Sequence, residues 1–299
     1  MVALLMTLLV LGGCPGTRAV AAGIPVGRSS QSVQSAGILR TFELYRPDNL
    51  VGAASLVVVL HGGYGDGVQA ENSYNWDSEA DRGQFIAAFP DGLYRSWNAG
   101  TCCGIPKNRD IDDVGFITAM VAGIQSQIAI DPARIYVAGM SNGAMMALRM
   151  GCQTDIFAAV APVAGTMLTD CSRAVPASVL QIHGTADDRV PYDGGPGRVV
   201  TPRGAANVDG PSVPAVNATW RGIDNCGSPA STTAGDVTTE IAECPAGRTV
   251  ELISIAGAGH QWPGGQSAPL AERLGNLPPP SPDLNATDTI WQFFAAHHR

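Results

Sequence analysis

The residues best suited to covalent chemistry lie in a Gly-x-Ser-x-Gly pattern, Gly139 to Gly143. An apolar run, 135–138, precedes the pattern and apolar residues at helical spacing follow it, which predicts a strand, a tight turn and a helix. Such a turn exposes the Ser141 hydroxyl at the end of a sheet, and the Asn142 amide that opens the helix can donate to an oxyanion. The pattern is short, however, and the chain contains 36 glycines. Other reactive groups must therefore decide whether Ser141 is a nucleophile.

A serine hydroxyl is a poor nucleophile at neutral pH and needs a base within hydrogen-bonding reach. The chain has five histidines: His61, His183, His260, His297 and His298. The last two lie at the C-terminus. His61 and His183 each precede a glycine at the start of a loop, and we interpret them as buried structural histidines bonded to backbone. His260 follows the last predicted strand and is the candidate base.

Two adjacent carboxylates, Asp187 and Asp188, follow another predicted strand. The register of the pattern His-Gly-Thr-x-Asp-x-x-Val-Pro favours Asp187 as the acid that orients the base. Asp188 is then a solvated loop carboxylate or a partner of Arg189. A glycine-rich loop after His61 offers main-chain donors at Gly63 and Tyr64, which with Asn142 are the candidate oxyanion donors.

The elements that must position these groups follow from the apolar patterns. Strands are predicted at 40–46, 55–60, 85–89, 135–138, 157–163, 178–182 and 250–255, and helices at 112–128, after 141, at 213–223 and at 287–294. Strands that alternate with helices predict a single α/β domain with a mostly parallel sheet covered on both faces. The carboxyl ends of parallel strands meet at one edge, where Ser141, Asp187 and His260 appear in chain order. That order is the α/β-hydrolase arrangement.

The N-terminal segment predicts export. Residues 1–22 have the length and apolarity of a signal peptide, although no Lys or Arg precedes the apolar run. Leu11 to Cys14 resembles a bacterial lipoprotein box, which would leave a lipidated Cys14 and a membrane-anchored protein. Cleavage after 19–21 would instead release a soluble secreted protein. We predict a flexible tether over 23–37 and the catalytic domain over 38–299.

An exported chain places its cysteines in an oxidising compartment. Apart from Cys14 there are six of them: Cys102, Cys103, Cys152, Cys171, Cys226 and Cys244. Nearest-neighbour pairing predicts disulfides between Cys152 and Cys171 and between Cys226 and Cys244. Cys102 and Cys103 then form a vicinal disulfide or take part in a reshuffled set. No cysteine or histidine spacing indicates a metal site. The net charge of -8 without a basic run argues against nucleic-acid binding.

Six segments together resemble the exported esterase family of polyhydroxybutyrate depolymerases and feruloyl or acetylxylan esterases. They are His61 to Tyr64, Trp97 to Gly104, Asp113 to Ile117, Gly139 to Ala144, His183 to Asp187 and Gly259 to Gly265. The resemblance implies an α/β-hydrolase fold and hydrolysis of carboxylic esters without metal or organic cofactor. Many members carry Cys or Gln after the His-Gly of the oxyanion loop, where this chain has Gly63 and Tyr64. Trp97 and Trp262 are candidate aromatic residues of the substrate pocket.

The leading hypothesis is a secreted or surface-anchored bacterial serine esterase that acts through an acyl-enzyme on Ser141. Two alternatives stay open at this point. One is a cell-envelope acyltransferase on the same fold, which would pass the acyl group to a sugar or lipid. The other is a surface binding protein with an inactive pocket.

Overall fold

The fold is built on one large twisted sheet. This computed structural model describes residues 23–197, 200–201, 204–205, 208–267 and 277–299. Within these ranges the strands of the main sheet are β1 (Gly27–Ser35), β2 (Ile38–Arg46), β3 (Ala54–Leu60), β4 (Ile86–Pro90), β5 (Ile130–Met140), β6 (Ala159–Val163), β7 (Ser178–Gly184), β12 (Ala230–Ala234), β13 (Val237–Glu243) and β14 (Thr249–Ile255). Four two-residue strands lie between them: β8 (Gly195–Pro196), β9 (Val200–Thr201), β10 (Gly204–Ala205) and β11 (Asp209–Gly210).

The helices connect these strands in chain order. They are α1 (Gly67–Ser73), α2 (Trp76–Gly83), α3 (Gly104–Asn108), α4 (Asp113–Gln125), α5 (Asn142–Gln153), α6 (Val213–Ile223) and α7 (Ala286–Ala296). In the ranges above, none of them is long and apolar enough to cross a lipid bilayer.

The spatial order of the sheet is β1-β2-β4-β3-β5-β6-β7-β14-β13-β12. Neighbouring strands from β4 to β14 run parallel, and the pairs at both edges are antiparallel. Every residue of β3, β4, β6 and β7 is buried. This burial is why their sequences are continuous apolar runs rather than alternating ones.

Two apolar cores lie on opposite faces of the sheet. Val58 of β3 points into the core under α4, α5 and α6, whereas its neighbours Val57 and Val59 point into the core under α1, α2 and α7. Trp220 of α6 is buried in the first of these cores, and Phe294 of α7 is buried in the second. The prediction of a mostly parallel sheet covered on both faces is confirmed.

The prediction of a flexible tether over 23–37 is wrong, because Gly27–Ser35 forms strand β1. This strand pairs antiparallel with β2 along its whole length. Its Arg28 also contacts Glu71 of α1 and Asp77 of α2, at 3.1 Å and 2.5 Å. No side chain of β1 is fully buried. Its sequence can therefore be polar, like that of a linker. The predictions for residues 1–22, including lipidation of Cys14, concern a segment outside the described residues.

Besides β1, helices α1 to α3 and strands β8 to β13 were not predicted from the sequence. β12 and β13 form an antiparallel hairpin turned at Gly235, whose φ of 59° requires the left-handed region. The sequence signal for this hairpin was a pair of threonines on each side of a Gly-Asp turn. The segment interpreted as an irregular loop after Pro191 contains the two short ladders β9–β10 and β8–β11.

All six cysteines of the described chain are paired. The bonds join Cys102 to Cys103, Cys152 to Cys171 and Cys226 to Cys244. The last two are the predicted nearest-neighbour pairs, and the first is the vicinal disulfide that was one of the two alternatives for Cys102 and Cys103. The second bond ties the end of α5 to the loop before β7, and the third ties the end of α6 to the end of β13.

A buried ion pair joins the outer strands to the loop that carries Trp97. The guanidinium of Arg40 in β2 donates to Asp113 at 2.8 Å and to the carbonyl oxygen of Asp91 at 3.0 Å. The other oxygen of Asp113 accepts from the backbone amide of Asn98 at 2.8 Å. The Arg40 guanidinium also lies 3.9 Å from the centroid of the Phe116 ring. One carboxylate therefore connects β2, α4 and the loop after β4.

We expect Asp113→Ala to lower the free energy of unfolding by about 3–5 kcal/mol, because it leaves the Arg40 charge buried without its partner. Urea unfolding followed by circular dichroism measures this loss. Asp112→Ala is the matched control. Asp112 is exposed and only caps α4 through the Gly115 amide, so about 1 kcal/mol should be lost. Equal losses in the two variants would contradict the buried-pair interpretation.

Candidate active site

Ser141 lies at the turn between β5 and α5 in a strained backbone conformation. Its φ of 56° and ψ of -118° are sparsely populated for a residue with a side chain. The turn is held by hydrogen bonds from the Ser141 amide to the carbonyl oxygen of Val163 at 2.9 Å and from the Met145 amide to the carbonyl oxygen of Ser141 at 3.0 Å. This conformation lifts the hydroxyl out of the helix axis and towards the edge of the sheet.

The two glycines of the pattern are required by space. A Cβ on Gly139 would lie 2.4 Å from the carbonyl oxygen of Gly143, and a Cβ on Gly143 would lie 2.3 Å from that of Leu60. Neither contact is tolerable, since the atoms met are backbone. The absence of side chains at 139 and 143 therefore allows β3, β5 and α5 to approach one another at the turn.

Ser141, His260 and Asp187 form a continuous chain of hydrogen bonds. The Ser141 hydroxyl lies 2.8 Å from Nε2 of His260, and Nδ1 of His260 lies 2.7 Å from Oδ2 of Asp187. Because a carboxylate can only accept, the proton of the neutral imidazole is on Nδ1 and Nε2 is free to take the serine proton. The structure therefore brings together three residues of which the first and the last are 119 positions apart in the sequence.

Asp187 rather than Asp188 faces the histidine. The Asp187 side chain is fully buried, and its Oδ1 accepts from the amides of Arg189 at 2.8 Å and Val190 at 2.9 Å. Burial alone would raise its pKa, but His260 and His183 outweigh that effect and hold the pKa of Asp187 well below its usual value. Asp187 is thus a carboxylate throughout the neutral range. Asp188 is half exposed and lies 3.6 Å from Nε of Arg189.

The loops that carry the acid and the base are joined to each other. Amides of Thr185 and Ala186 donate to the carbonyl oxygens of Ile255 and Ala258, both at 2.9 Å. The close approach depends on Gly184, where a Cβ would lie 2.2 Å from the carbonyl oxygen of Ala258. Parallel pairing of β7 with β14 thus continues past the strand ends and sets the distance between Asp187 and His260.

Two backbone amides near Ser141 are free to receive an oxyanion. Asn142 is the first residue of α5, so its N–H has no acceptor within the helix. Gly63 lies next to Asn142, since a Cβ added to Gly63 would be 4.0 Å from the Cβ of Asn142. Over the described ranges, neither amide donates to another protein group.

Tyr64 does not fit the predicted role of oxyanion donor. Its amide already donates to the carbonyl oxygen of Arg95 at 2.8 Å, and Nε of Arg95 donates back to the carbonyl oxygen of Tyr64 at 2.7 Å. The residue has a φ of 68°, and its side chain is 63% exposed. This prediction is wrong for the amide, which leaves Gly63 as the donor from the glycine loop.

The prediction that Trp97 lines the substrate pocket is also wrong, because its side chain is fully buried. Its indole N–H donates to the carbonyl oxygen of His61 at 2.9 Å. Its backbone is held from both sides by the Asn142 side chain, whose oxygen accepts from the Trp97 amide at 2.7 Å and whose nitrogen donates to the Trp97 carbonyl at 3.1 Å. Trp97 therefore connects the glycine loop to the turn at Ser141.

Trp262 is 2% exposed and does not line a pocket either. Its indole N–H donates to the hydroxyl of Thr287 at 3.0 Å, and its ring stacks on Tyr74 with centroids 4.4 Å apart. The tryptophan fastens the segment after His260 to α7 and to the end of α1. Its role is to position the base, not to contact a substrate.

His61 is structural, in line with its interpretation from sequence. Nε2 accepts from the Gly92 amide at 2.9 Å, and Nδ1 donates to the carbonyl oxygen of Gly62 at 2.7 Å. Burial lowers the pKa of His61, so the ring is neutral and can accept from Gly92. The hydrogen bonds between the Asn142 side chain and the Trp97 backbone were not predicted from the sequence, since an asparagine after Ser141 carries no distinctive pattern.

No group of three or more His, Cys, Asp or Glu side chains that could hold a metal ion occurs in the part of the chain with described coordinates. The described site brings together the serine hydroxyl, the imidazole, the carboxylate and the two amides. An activated hydroxyl beside paired amide donors is the arrangement used for acyl transfer.

The family model described as esterase PHB depolymerase matches residues 41–203, more than half of the chain. The chain belongs to this family. Feruloyl esterase B of Piromyces equi is 33% identical over 225 residues, which are 70% of this chain and 40% of that protein. Poly(3-hydroxybutyrate) depolymerase of Ralstonia pickettii is 34% identical over 131 residues, which are 40% of this chain and 27% of that protein. The chain thus spans less than half the length of either relative.

A solved structure shares the fold of this member of the esterase PHB depolymerase family. Acetyl xylan esterase from Aspergillus awamori superposes with a TM-score of 0.62 over 90% of this chain and 99% of that one, at 15% identity. The α/β-hydrolase fold predicted from the order of Ser141, Asp187 and His260 is confirmed. At this identity the likeness speaks for the fold alone.

We expect Gly184→Ala to reduce esterase kcat/KM on the order of 100-fold, because the added methyl group pushes the acid-bearing and base-bearing loops apart. Gly222→Ala is the matched control, since a Cβ there meets nothing within 4 Å. Initial rates with p-nitrophenyl acetate, together with thermal unfolding of both variants, check the prediction. Full activity in Gly184→Ala would show that the loop contact does not set the site geometry.

Proposed function

We propose that the protein is an exported serine esterase that hydrolyses carboxylic esters through an acyl-enzyme on Ser141. One observation carries the proposal: Ser141, His260 and buried, ionised Asp187 form one hydrogen-bonded chain beside the unpaired amides of Gly63 and Asn142. Membership of an esterase family supports the same reaction class.

In the first step the Ser141 oxygen attacks the ester carbonyl carbon while Nε2 of His260 accepts the hydroxyl proton. The carbonyl oxygen becomes an oxyanion and accepts from the amides of Gly63 and Asn142. Such preorganised donors contribute about 3 kcal/mol each to transition-state stabilisation. The imidazolium then gives its proton to the departing alkoxide, which leaves as the alcohol.

In the second step water attacks the acyl-enzyme. His260 takes a proton from the water, a second oxyanion forms in the same place, and its collapse releases the acid and returns the proton to Ser141. Asp187 stays a carboxylate through both steps. Its part is to keep the proton of the neutral imidazole on Nδ1 and to stabilise the imidazolium.

The relatives and the surface beside the oxyanion donors support a proposal for the substrate class. Relatives are named as esterases of feruloyl groups and as a depolymerase of poly(3-hydroxybutyrate). The exposed ring of Tyr64 lies one residue from the Gly63 amide and suits contact with an aromatic acyl group. We therefore place feruloyl-type esters first among the candidate substrates.

Export is supported by three disulfides in the described chain, which persist in oxidising compartments. The apolar segment 1–22 is the proposed signal. A lipidated Cys14 would tether the esterase to a bacterial envelope, and cleavage after 19–21 would release it.

We expect Ser141→Ala to lower kcat/KM for p-nitrophenyl acetate by at least about 10³-fold, since it removes the nucleophile. Labelling by a fluorophosphonate should be lost as well. Ser126→Ala, an exposed serine at the end of α4, is the matched control and should keep both. More than 10% residual activity in Ser141→Ala would rule out the acyl-enzyme mechanism, and a wild-type protein that neither reacts with the label nor hydrolyses esters would be a binding protein.

We expect the enzyme to hydrolyse methyl ferulate, and Tyr64→Ala to raise KM for that ester about fivefold through loss of an aromatic contact. Methyl acetate has the same alcohol but no aromatic acyl group, so its KM should not change. An equal effect on both esters would contradict an acyl-group contact. Acetylated xylan and polyhydroxybutyrate are tested alongside, and hydrolysis of one of them in place of methyl ferulate would indicate another ester class. The same assays with added sugar acceptors would detect acyl transfer if an acylated sugar forms instead of the free acid.

A further inference from the structure

His183 lies at the carboxyl end of β7 with its side chain fully buried beside the catalytic carboxylate. Nε2 of His183 is 2.8 Å from the carbonyl oxygen of Val190 and 3.3 Å from Oδ2 of Asp187. Oδ2 is the same oxygen that accepts from His260 at 2.7 Å. A second imidazole, four residues before the acid, therefore faces the oxygen on which the base depends.

The tautomer of His183 follows from its neighbours. A carbonyl oxygen and a carboxylate oxygen can only accept, so Nε2 carries a proton and donates. Nδ1 is buried and has no hydrogen-bond partner among the described residues. A second proton there would be buried without an acceptor, which is unfavourable. His183 is thus a neutral donor whose N–H is shared between two oxygens, as in a three-centre hydrogen bond.

These contacts form a closed ring around the acid. Val190 accepts from His183 through its carbonyl oxygen and donates its amide to Oδ1 of Asp187 at 2.9 Å. His183 therefore restrains Asp187 twice, directly at Oδ2 and through Val190 at Oδ1. Tyr192 packs edge-on against the His183 imidazole, with 6.0 Å between the two ring centroids.

We propose that His183 is a positioning residue for catalysis: its Nε2–H fixes Oδ2 of Asp187 opposite Nδ1 of His260 and shares the negative charge of that oxygen. The proposal rests on the triad mechanism proposed above. Without the His183 donor, Oδ2 holds protonated His260 more tightly in the free enzyme and is free to rotate away from it. The first change reduces the fraction of free enzyme whose His260 is neutral at acid pH, and the second slows proton transfer from Ser141.

The test compares three variants by the pH dependence of kcat and KM. His183→Phe keeps a flat ring against Tyr192 but removes the donor. His183→Gln returns an amide N–H at the position of Nε2. Gln181→Leu is the packing control: Gln181 is buried two residues earlier on β7, and its amide has no hydrogen-bond partner among the described residues.

We expect His183→Phe to lower kcat roughly tenfold with KM within twofold of wild type. We also expect the acid limb of kcat/KM to move to higher pH by up to about half a unit, as one lost hydrogen bond allows. His183→Gln should restore kcat to within about threefold and return the limb to its wild-type position. Gln181→Leu should leave the limb unmoved, whatever its effect on stability.

The proposal is overturned if His183→Phe keeps kcat within twofold of wild type and its acid limb unmoved, or if His183→Gln is no better than His183→Phe. It is also overturned if Gln181→Leu moves the limb equally, because packing alone would then explain the shift. Titration of Ser141 with a fluorophosphonate separates this outcome from failure of the esterase proposal. A wild-type enzyme that labels stoichiometrically while His183→Phe behaves as wild type leaves the triad intact and removes only the role of His183.

Discussion

The backbone at Ser141 is the constraint on which the rest of the structure depends. A serine held at a φ of 56° and a ψ of -118° is unfavourable by itself and persists only when its surroundings leave no alternative. They do so because Gly139 and Gly143 let β3, β5 and α5 meet at distances that exclude any Cβ. The resulting turn sets the Ser141 oxygen 2.8 Å from His260 and leaves the Asn142 amide unpaired.

The site is assembled by contacts between loops rather than within them. Thr185 and Ala186 bind the turn after β14, the Asn142 side chain binds the backbone of Trp97, and Trp97 binds the glycine loop through His61. The first and third contacts join the ends of neighbouring strands, β7 with β14 and β4 with β3, whereas the second joins the end of β5 to the loop after β4, across β3. The catalytic groups are thereby held on a rigid edge, as preorganised catalysis requires.

The buried carboxylate of Asp187 accepts hydrogen bonds at both of its oxygens. The two histidines that face this carboxylate, His260 and His183, explain why the pKa of Asp187 stays low despite complete burial of the side chain. The two tryptophans beside the sequence motifs support the loops around the site. Trp97 and Trp262 are buried supports of the oxyanion turn and of the base, whereas Tyr64 is held out in solvent by the strained backbone of the glycine loop. Of these three aromatic residues, Tyr64 is the one whose ring is exposed.

Sequence by itself determined the parallel core strands, helices α4 to α7 and the order of Ser141, Asp187 and His260, because apolar periodicity and strand-end motifs are local signals. It failed at β1, whose polar residues resemble a linker, since backbone pairing with β2 leaves no apolar signature. Tertiary structure alone decided that the Tyr64 amide is occupied and that Trp97 and Trp262 are buried. It also decided that His183 faces Asp187. Each of these depends on which groups distant in the chain become neighbours, and spacing along the sequence does not carry that information.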